Sequence, residues 1–173
     1  MHATPGPVVL IRDARPEEME AVARLSVDAY REFANVVGAD VWARMERNLA
    51  RLGGDSPDAV TIVAEIDGEL VGTAEYLGPR GRRVGLVEAV PEGEAYIGRL
   101  GVAPHARTRR VGKALTEECI RRARADGART IGLATRDVMV AARAMYESLG
   151  FRHVRTVDRG GSTFLTYVLD LTR

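Results

Sequence analysis

Residues 100–115, LGVAPHARTRRVGKAL, are the stretch of this sequence whose types and spacing most plainly suggest chemistry. A strand ends near Val102, a break follows at Ala103-Pro104-His105, and a loop carrying Arg107, Arg109 and Arg110 leads into a helix around Gly112 and Lys113. The first amides of a helix have no intrahelical acceptor and sit at the positive end of its dipole. With basic side chains beside them they suit a phosphate or pyrophosphate. The segment is not a nucleotide P-loop, because Lys113 is followed by Ala114 and no glycine stands five residues before Gly112. The three-glycine dinucleotide fingerprint is absent as well. On composition alone, a solvated basic helix start explains the segment equally well.

A second segment changes that balance. Residues 142–151, ARAMYESLGF, place Tyr146 four residues before Gly150-Phe151. The run from Val102-x-Pro104 through Arg107, Gly112 and Ala114-Leu115 resembles the acyl-CoA-binding motif of the GNAT superfamily of N-acyltransferases. The Tyr146 segment resembles that family's second signature, and the two lie in the family's order and at its usual separation. The resemblance covers essentially the whole chain. It implies that the strand backbone at Leu100, Gly101 and Val102 pairs with a pantetheine arm. It implies a pyrophosphate cradle from Arg107, Thr108, Arg109, Arg110, Val111, Gly112, Lys113 and Ala114. It also implies that Tyr146 sits near the cofactor sulfur. A phenol of pKa ~10 can protonate a thiolate leaving group of similar basicity.

The sequence departs from the family pattern at three places. Arg110 stands where the motif has its first glycine, which puts a Cβ near the phosphates or a guanidinium in contact with them. Met139 stands seven residues before Tyr146, where a polar residue, commonly Asn, touches the cofactor. Tyr96 stands six before Val102, where some members carry a glutamate base.

The base that deprotonates the amine is therefore open among Glu94, Tyr96, Glu75 and His105, directly or through water. Glu94 and Tyr96 share a strand face by the two-residue period. Each of these residues is equally an ordinary surface charge or packing side chain. Tyr30, Phe33, Trp42 and Tyr76 are the candidate lining of an acceptor pocket. The cluster Arg80, Arg82 and Arg83 suits an acidic acceptor or the cofactor's phosphates if it faces that pocket, and is otherwise a solvated loop.

The elements that must position these residues are legible from periodicity. Val8 to Arg12 reads as a strand after a loose lead-in at residues 1–7. Pro16-Glu17-Glu18 opens a helix whose apolar positions recur from Met19 to Phe33 at three- and four-residue steps. Gly38 breaks it, and a second helix runs from Val41 to Leu52. Two apolar runs around Asp67-Gly68 form a hairpin. A glycine- and arginine-rich connection spans residues 78–93. Strands at Ala95–Val102 and Thr130–Ala134 flank a helix from Arg110 to Ala125 and must run parallel with a right-handed crossover. A helix from Val138 to Leu149 and two last strands, Phe151–Val157 and Thr163–Leu171, complete the order β-α-α-β-β-β-α-β-α-β-β. This is an α+β arrangement: a mixed sheet of six to seven strands with about four helices, in one domain over residues 8–173.

Length and composition narrow the function classes. A chain of 173 residues is about one domain and buries roughly 70% of its unfolded surface. Lys plus Arg is 25 and Asp plus Glu is 24, so no whole-protein field attracts nucleic acid or an anionic membrane. No apolar run approaches the ~18 residues of a membrane span, and the N-terminus lacks a signal peptide's pattern. One cysteine and three scattered histidines make neither an internal disulfide nor a metal-ligand set. Cys119 reads as a small core residue, and a reducing cytoplasmic setting fits.

The function so implied is a transferase: an acetyl-CoA-dependent N-acetyltransferase using coenzyme A chemistry and no metal. Its acceptor is a primary amine of a small molecule or a protein, attacked directly in a ternary complex. The alternative is a non-catalytic acyl-CoA-binding or regulatory module on the same fold. The apolar last strand, Phe164 to Leu171, either completes the sheet or pairs across a homodimer.

Overall fold

The computed structural model describes residues 6–51, 56–84 and 90–173. Most of the expected lead-in, the end of the second helix at Leu52 with its glycine loop, and most of the apolar patch at 84–90 lie outside the described residues.

Strand β1 (Leu10–Asp13) leads through a turn of 3-10 helix, Pro16–Glu18, into α1 (Met19–Tyr30). The Glu18 carboxylate accepts the Arg15 amide at 2.8 Å and fixes the helix entry. It also meets Arg12 at 2.7 Å, and Arg12 reaches Glu65 at 2.8 Å, so β1, α1 and the next strand are tied at one point. A 3-10 turn at Arg31–Phe33 and a single helical turn, α2 (Ala34–Val37), continue to Gly38, beyond which α3 (Ala39–Leu49) begins. The expected long helix is thus divided at Tyr30.

Strands β2 (Val60–Ile66) and β3 (Glu69–Leu77) pair through Asp67-Gly68. Both turn residues have positive φ, 51° and 82°, as the hairpin's right-handed twist demands. Then follow β4 (Ala95–Val102), α4 (Val111–Ala125), β5 (Thr130–Arg136), α5 (Val140–Ser148), β6 (Arg152–Arg159) and β7 (Ser162–Asp170). The seven strands form one sheet in the order β1-β2-β3-β4-β5-β7-β6. Strands β4 and β5 are parallel, and every other neighbouring pair is antiparallel. β7 lies between β5 and β6, so the apolar C-terminal strand completes this chain's own sheet.

Helices cover both faces. A Cβ on Gly72 would strike Val111 and Leu115 of α4, whereas a Cβ on Gly101 would strike Ala29 of α1. Gly72 pairs with Val102 and Thr73 with Gly101, so consecutive residues carry α4 and α1 on opposite sides. The main core lies between the sheet and the buried stripe Val111, Leu115, Cys119, Ile120 and Ala123 of α4. A second cluster, Val27, Met45, Leu49 and Met139, joins α1, α3 and the start of α5.

Candidate active site

Two irregularities in β4 build the site. The β4–β5 pairing covers Ala95, Tyr96 and Ile97 against Ile131, Gly132 and Leu133, and then stops. Beyond Ile97 the two parallel strands part, so this flank of β4 has no strand partner there. On the other flank, Thr73 pairs with Gly101 but Glu75 pairs with Gly98, so β4 holds one residue more than β3. This is a β-bulge, and Arg99 within it has φ 49°. The extra residue bends the strand and leaves both Gly98 and Gly101 on the α1 face, three positions apart.

A cleft of about 1010 Å³ opens where the strands part. Its floor is β4 from Tyr96 to Val102, one end is the start of α4, and one wall is α5 with Tyr146. Its far end is closed by the last turn of α1, by α3, and by β6 and β7. The α4 end follows a 3-10 segment, Pro104–Arg109, and Arg110 is the residue that caps the helix, in the left-handed region at φ 60° and ψ 21°. A glycine adopts that turn without cost, whereas a Cβ costs roughly 1 kcal/mol. The backbone thus takes a turn suited to glycine despite the side chain.

The cradle is narrower than the sequence suggests. Thr108, Arg110, Gly112 and Lys113 line the cleft, but Arg109, Val111 and Ala114 do not. Val111 is fully buried in the main core. The Ala114 amide already donates to the Arg110 carbonyl at 3.0 Å, so the amides left over by helix geometry are those of Val111, Gly112 and Lys113. Arg107 also lines the cleft, but its guanidinium is engaged: it donates to Glu32 at 2.6 Å and to the Ala29 carbonyl at 2.8 Å, where it caps the end of α1. On the floor, the Leu100 carbonyl accepts the Tyr30 hydroxyl at 2.5 Å.

Tyr146 is 5% exposed and packs against Phe151 and Tyr167, with ring centroids 5.8 and 6.4 Å away. Desolvation, with smaller contributions from Tyr30, Cys119 and Tyr96, pushes its phenol above the usual tyrosine value. It therefore stays protonated at any physiological pH. Burial also pushes Tyr30 up, to about 12. Met139, in place of the family's polar residue, is buried in the second cluster and accepts the Thr135 hydroxyl through its sulfur at 3.6 Å.

Of the candidate bases, only Tyr96 lines this cleft. Glu94 lies just before β4, at the end where the strands are still paired, and its carbonyl accepts from Arg83. Glu75 faces α1 and sits 3.7 Å from Arg99. His105 is exposed and meets Glu69 at 3.0 Å. Of the candidate acceptor residues, Tyr30 and Phe33 line the far end with their rings 6.5 Å apart. Tyr76 does not: it points to the α4 side, where its hydroxyl donates to Asp126 at 2.7 Å. Trp42 packs instead on the outside of the second cluster. The arginine loop is also elsewhere, with Arg82 on Asp58 at 3.1 Å and Arg83 on backbone carbonyls. Periodicity gave no sign of Arg99, Arg136, Arg155, Arg159 and Phe164, which do line the cleft. A basic residue at the end of an inner strand, as Arg136 is, was the available signal. Among the described residues, no group of His, Cys, Asp and Glu side chains is arranged to hold a metal ion.

The pattern of the Acetyltransferase (GNAT) family matches residues 19–151. A search of curated proteins finds no match. Among solved structures, an N-acetyltransferase from Staphylococcus aureus Mu50 superposes with a TM-score of 0.70 at 19% identity, covering 95% of this chain and 99% of that one. The ribosomal-protein-S18-alanine N-acetyltransferase of Escherichia coli does so at 0.65 and 19%, covering 96% of each. The yncA protein of Salmonella typhimurium, solved with its cofactor acetyl-CoA, gives 0.65 and 20%, covering 94% of each. The parted parallel strands, the helix start that faces them and the family match over most of the chain agree: the protein belongs to the GNAT family of acetyltransferases.

Proposed function

We propose that this protein transfers an acetyl group from acetyl-CoA to a primary amine, by direct attack in a ternary complex. One observation carries the reading: the unpaired flank of β4, the amide end of α4 and the Tyr146 phenol open into one cleft. The residues present fit an acyl-CoA. Gly112 lines the cleft, and a Cβ there would lie 3.6–3.8 Å from Val102, Met145 and Leu100, which line it too, so the helix start borders the cleft directly. The amides of Val111, Gly112 and Lys113, with the Arg110 and Lys113 side chains, would hold the pyrophosphate. The backbone of β4 from Gly98 to Val102 would hold the pantetheine arm by strand-like pairing.

Acetyl-CoA supplies an activated thioester. The protein's part is to bring the amine nitrogen to its carbonyl and to manage two protons. As the C–N bond forms and the C–S bond breaks, the amine gives up a proton through Tyr96 or solvent. Tyr146 hands its phenolic proton to the departing sulfur. No covalent enzyme intermediate is needed, and Cys119 is buried under α4 with its thiol pushed up to about 12. Tyr146 in this cleft favours transfer over the alternative, a non-catalytic acyl-CoA-binding module, which has no use for a proton donor.

The test is a transfer assay that follows free thiol released from acetyl-CoA over a panel of amines. Amine-dependent release, abolished or strongly reduced in Tyr146→Phe, supports the reading. Binding of acetyl-CoA with no release for any amine contradicts it.

A further inference from the structure

The far end of the cleft is basic and apolar, and that combination selects an acceptor. Arg99, Arg136, Arg155 and Arg159 all line the cleft near this end. The only acidic side chain among the described lining residues is Glu32, and it is held by Arg107 at 2.6 Å. Arg99 faces Glu75 at 3.7 Å, so its charge is balanced. Among the described residues, no carboxylate makes a salt-bridge contact with Arg136, Arg155 or Arg159. The nearest acid in sequence, Asp137, uses its carboxylate on the Val138 amide at 2.9 Å. Asp158 accepts from Thr163 at 2.6 Å.

Arg136 is the focal group. It closes β5 where the strands part, and its guanidinium lies 4.6 Å from the centre of the Phe164 ring. One of its nitrogens donates to the Ser162 hydroxyl. Both partners come from β7, and neither carries charge. Burial pulls the guanidinium below the ordinary arginine value; Arg44 adds to the fall, and Tyr30 and Asp137 oppose it without reversing it. A side chain fixed by a ring and a hydroxyl keeps the rest of its planar fork free for a two-oxygen anion. The same cleft is lined by the apolar side chains of Phe33, Met45, Leu49, Val157 and Phe164. Such walls suit an apolar body, and the positive field repels polyamines and other cationic acceptors.

We infer that the acceptor is a small amine carrying a carboxylate on an apolar body, the class of the apolar α-amino acids, with its carboxylate docked on Arg136. The inference rests on the acetyl-transfer reading above and adds the substrate class. Arg155 and Arg159, exposed on the edge strand β6, draw the anion in, while Arg136 orients it. Arg136 is a specificity residue: it touches the acceptor and takes no part in the proton transfers.

Three matched acceptors test this: L-phenylalanine, L-phenylalaninamide and 2-phenylethylamine, with the leucine and methionine series alongside. The amide's amine is less basic and more often unprotonated, which works against the expected order. The wild type should nevertheless favour the carboxylate members in kcat/KM by roughly 10- to 100-fold, the value of one charge-assisted bidentate contact. Arg136→Met should remove that preference through KM while leaving the amide within about twofold, and Arg136→Lys should restore part of it. A native melting curve for each variant separates this from misfolding. The proposal is overturned if the amides or plain amines are the better acceptors, if acetyl-CoA binds but no carboxylate member is acetylated, or if folded Arg136→Met slows all three equally. Failure of the underlying reading looks different: no stabilisation by acetyl-CoA and no thiol release with any amine.

Discussion

The Tyr30 hydroxyl donates to the Leu100 carbonyl at 2.5 Å, across a sequence separation of 70 residues. This bond fastens the last residue of α1 to the bulge of β4, just beyond the point where β4 and β5 part. It holds the wall of the cleft against its floor. Tyr30→Phe leaves that half-buried carbonyl without its donor and should cost about 1 kcal/mol. Urea unfolding checks this: the midpoint falls and the slope stays constant.

Tyr146→Phe should behave oppositely. No hydrogen bond among the described residues holds the Tyr146 hydroxyl, so its removal leaves the melting temperature nearly unchanged. Under the proposed mechanism kcat falls by roughly 100-fold while the KM for acetyl-CoA holds, the pattern of a lost proton donor. An unchanged kcat removes Tyr146 from the chemistry.

Gly112 and Gly101 separate binding from folding. A methyl on Gly112 meets only ordinary contacts at 3.6–3.8 Å, so Gly112→Ala should fold with normal stability. The methyl projects toward the cleft between β4 and α5, and the stabilisation given by acetyl-CoA should shrink. A methyl on Gly101 lands 2.9 Å from the Ala29 Cβ, so Gly101→Ala should lower the melting temperature with or without ligand. Paired melts of the two variants decide it. Equal loss of native stability in both contradicts the assignment of Gly112 to the cofactor.

Arg110 yields a backbone prediction. At φ 60°, Arg110→Gly relieves strain and should hold or raise stability, whereas Arg110→Val should lower it by about 1 kcal/mol or more. If the turn rather than the guanidinium matters for the cofactor, acetyl-CoA affinity follows the same order.

The buried phenols and thiol set the alkaline limit of the fold. Cys119 rises from an ordinary 9.0 to about 12, Tyr30 from 10.0 to about 12, and Tyr146 also rises, all through desolvation. In the unfolded chain these groups lose protons from about pH 9 upward, while the folded chain keeps them. Protons then favour the native state, so stability is full below pH 9 and falls as pH rises toward 12. Chemical denaturation from pH 7 to 11 measures it. Cys119→Ala should move the onset up toward pH 10, and an onset unchanged by that variant contradicts the assignment.

Much of this was legible before the structure. β4 and the Asp67-Gly68 turn fall where alternation and turn chemistry place them, and α4 starts one residue later than expected. The fold class followed from the element order, and the family from that order together with the two motif segments. Some of the misplacements turn on which face of the sheet a strand residue serves. Tyr76 and Glu75 are adjacent in β3, and only the packing of α4 on one side sends Tyr76 to Asp126 and Glu75 toward α1. The bulge at Arg99 shifts the alternation of β4 by one residue, and nothing in the sequence marks it. The role of Ala114 turned on one helical hydrogen bond. Arg136 escaped notice because its surroundings, Phe164 and Ser162, come from a strand 26 to 28 residues away that periodicity cannot pair.

The central claim is that the parted strands and the amide end of α4 form an acyl-CoA site. The most direct measurement is the melting temperature with acetyl-CoA, with free CoA and with ATP, each at the same concentration. Binding at about 100-fold over Kd should raise the midpoint by roughly 5–10 °C for acetyl-CoA and CoA. ATP should do little, because its phosphates find the helix start but no pantetheine arm fills the flank of β4. An equal shift with ATP would reduce the site to a simple anion cradle, and no shift with acetyl-CoA would contradict the account.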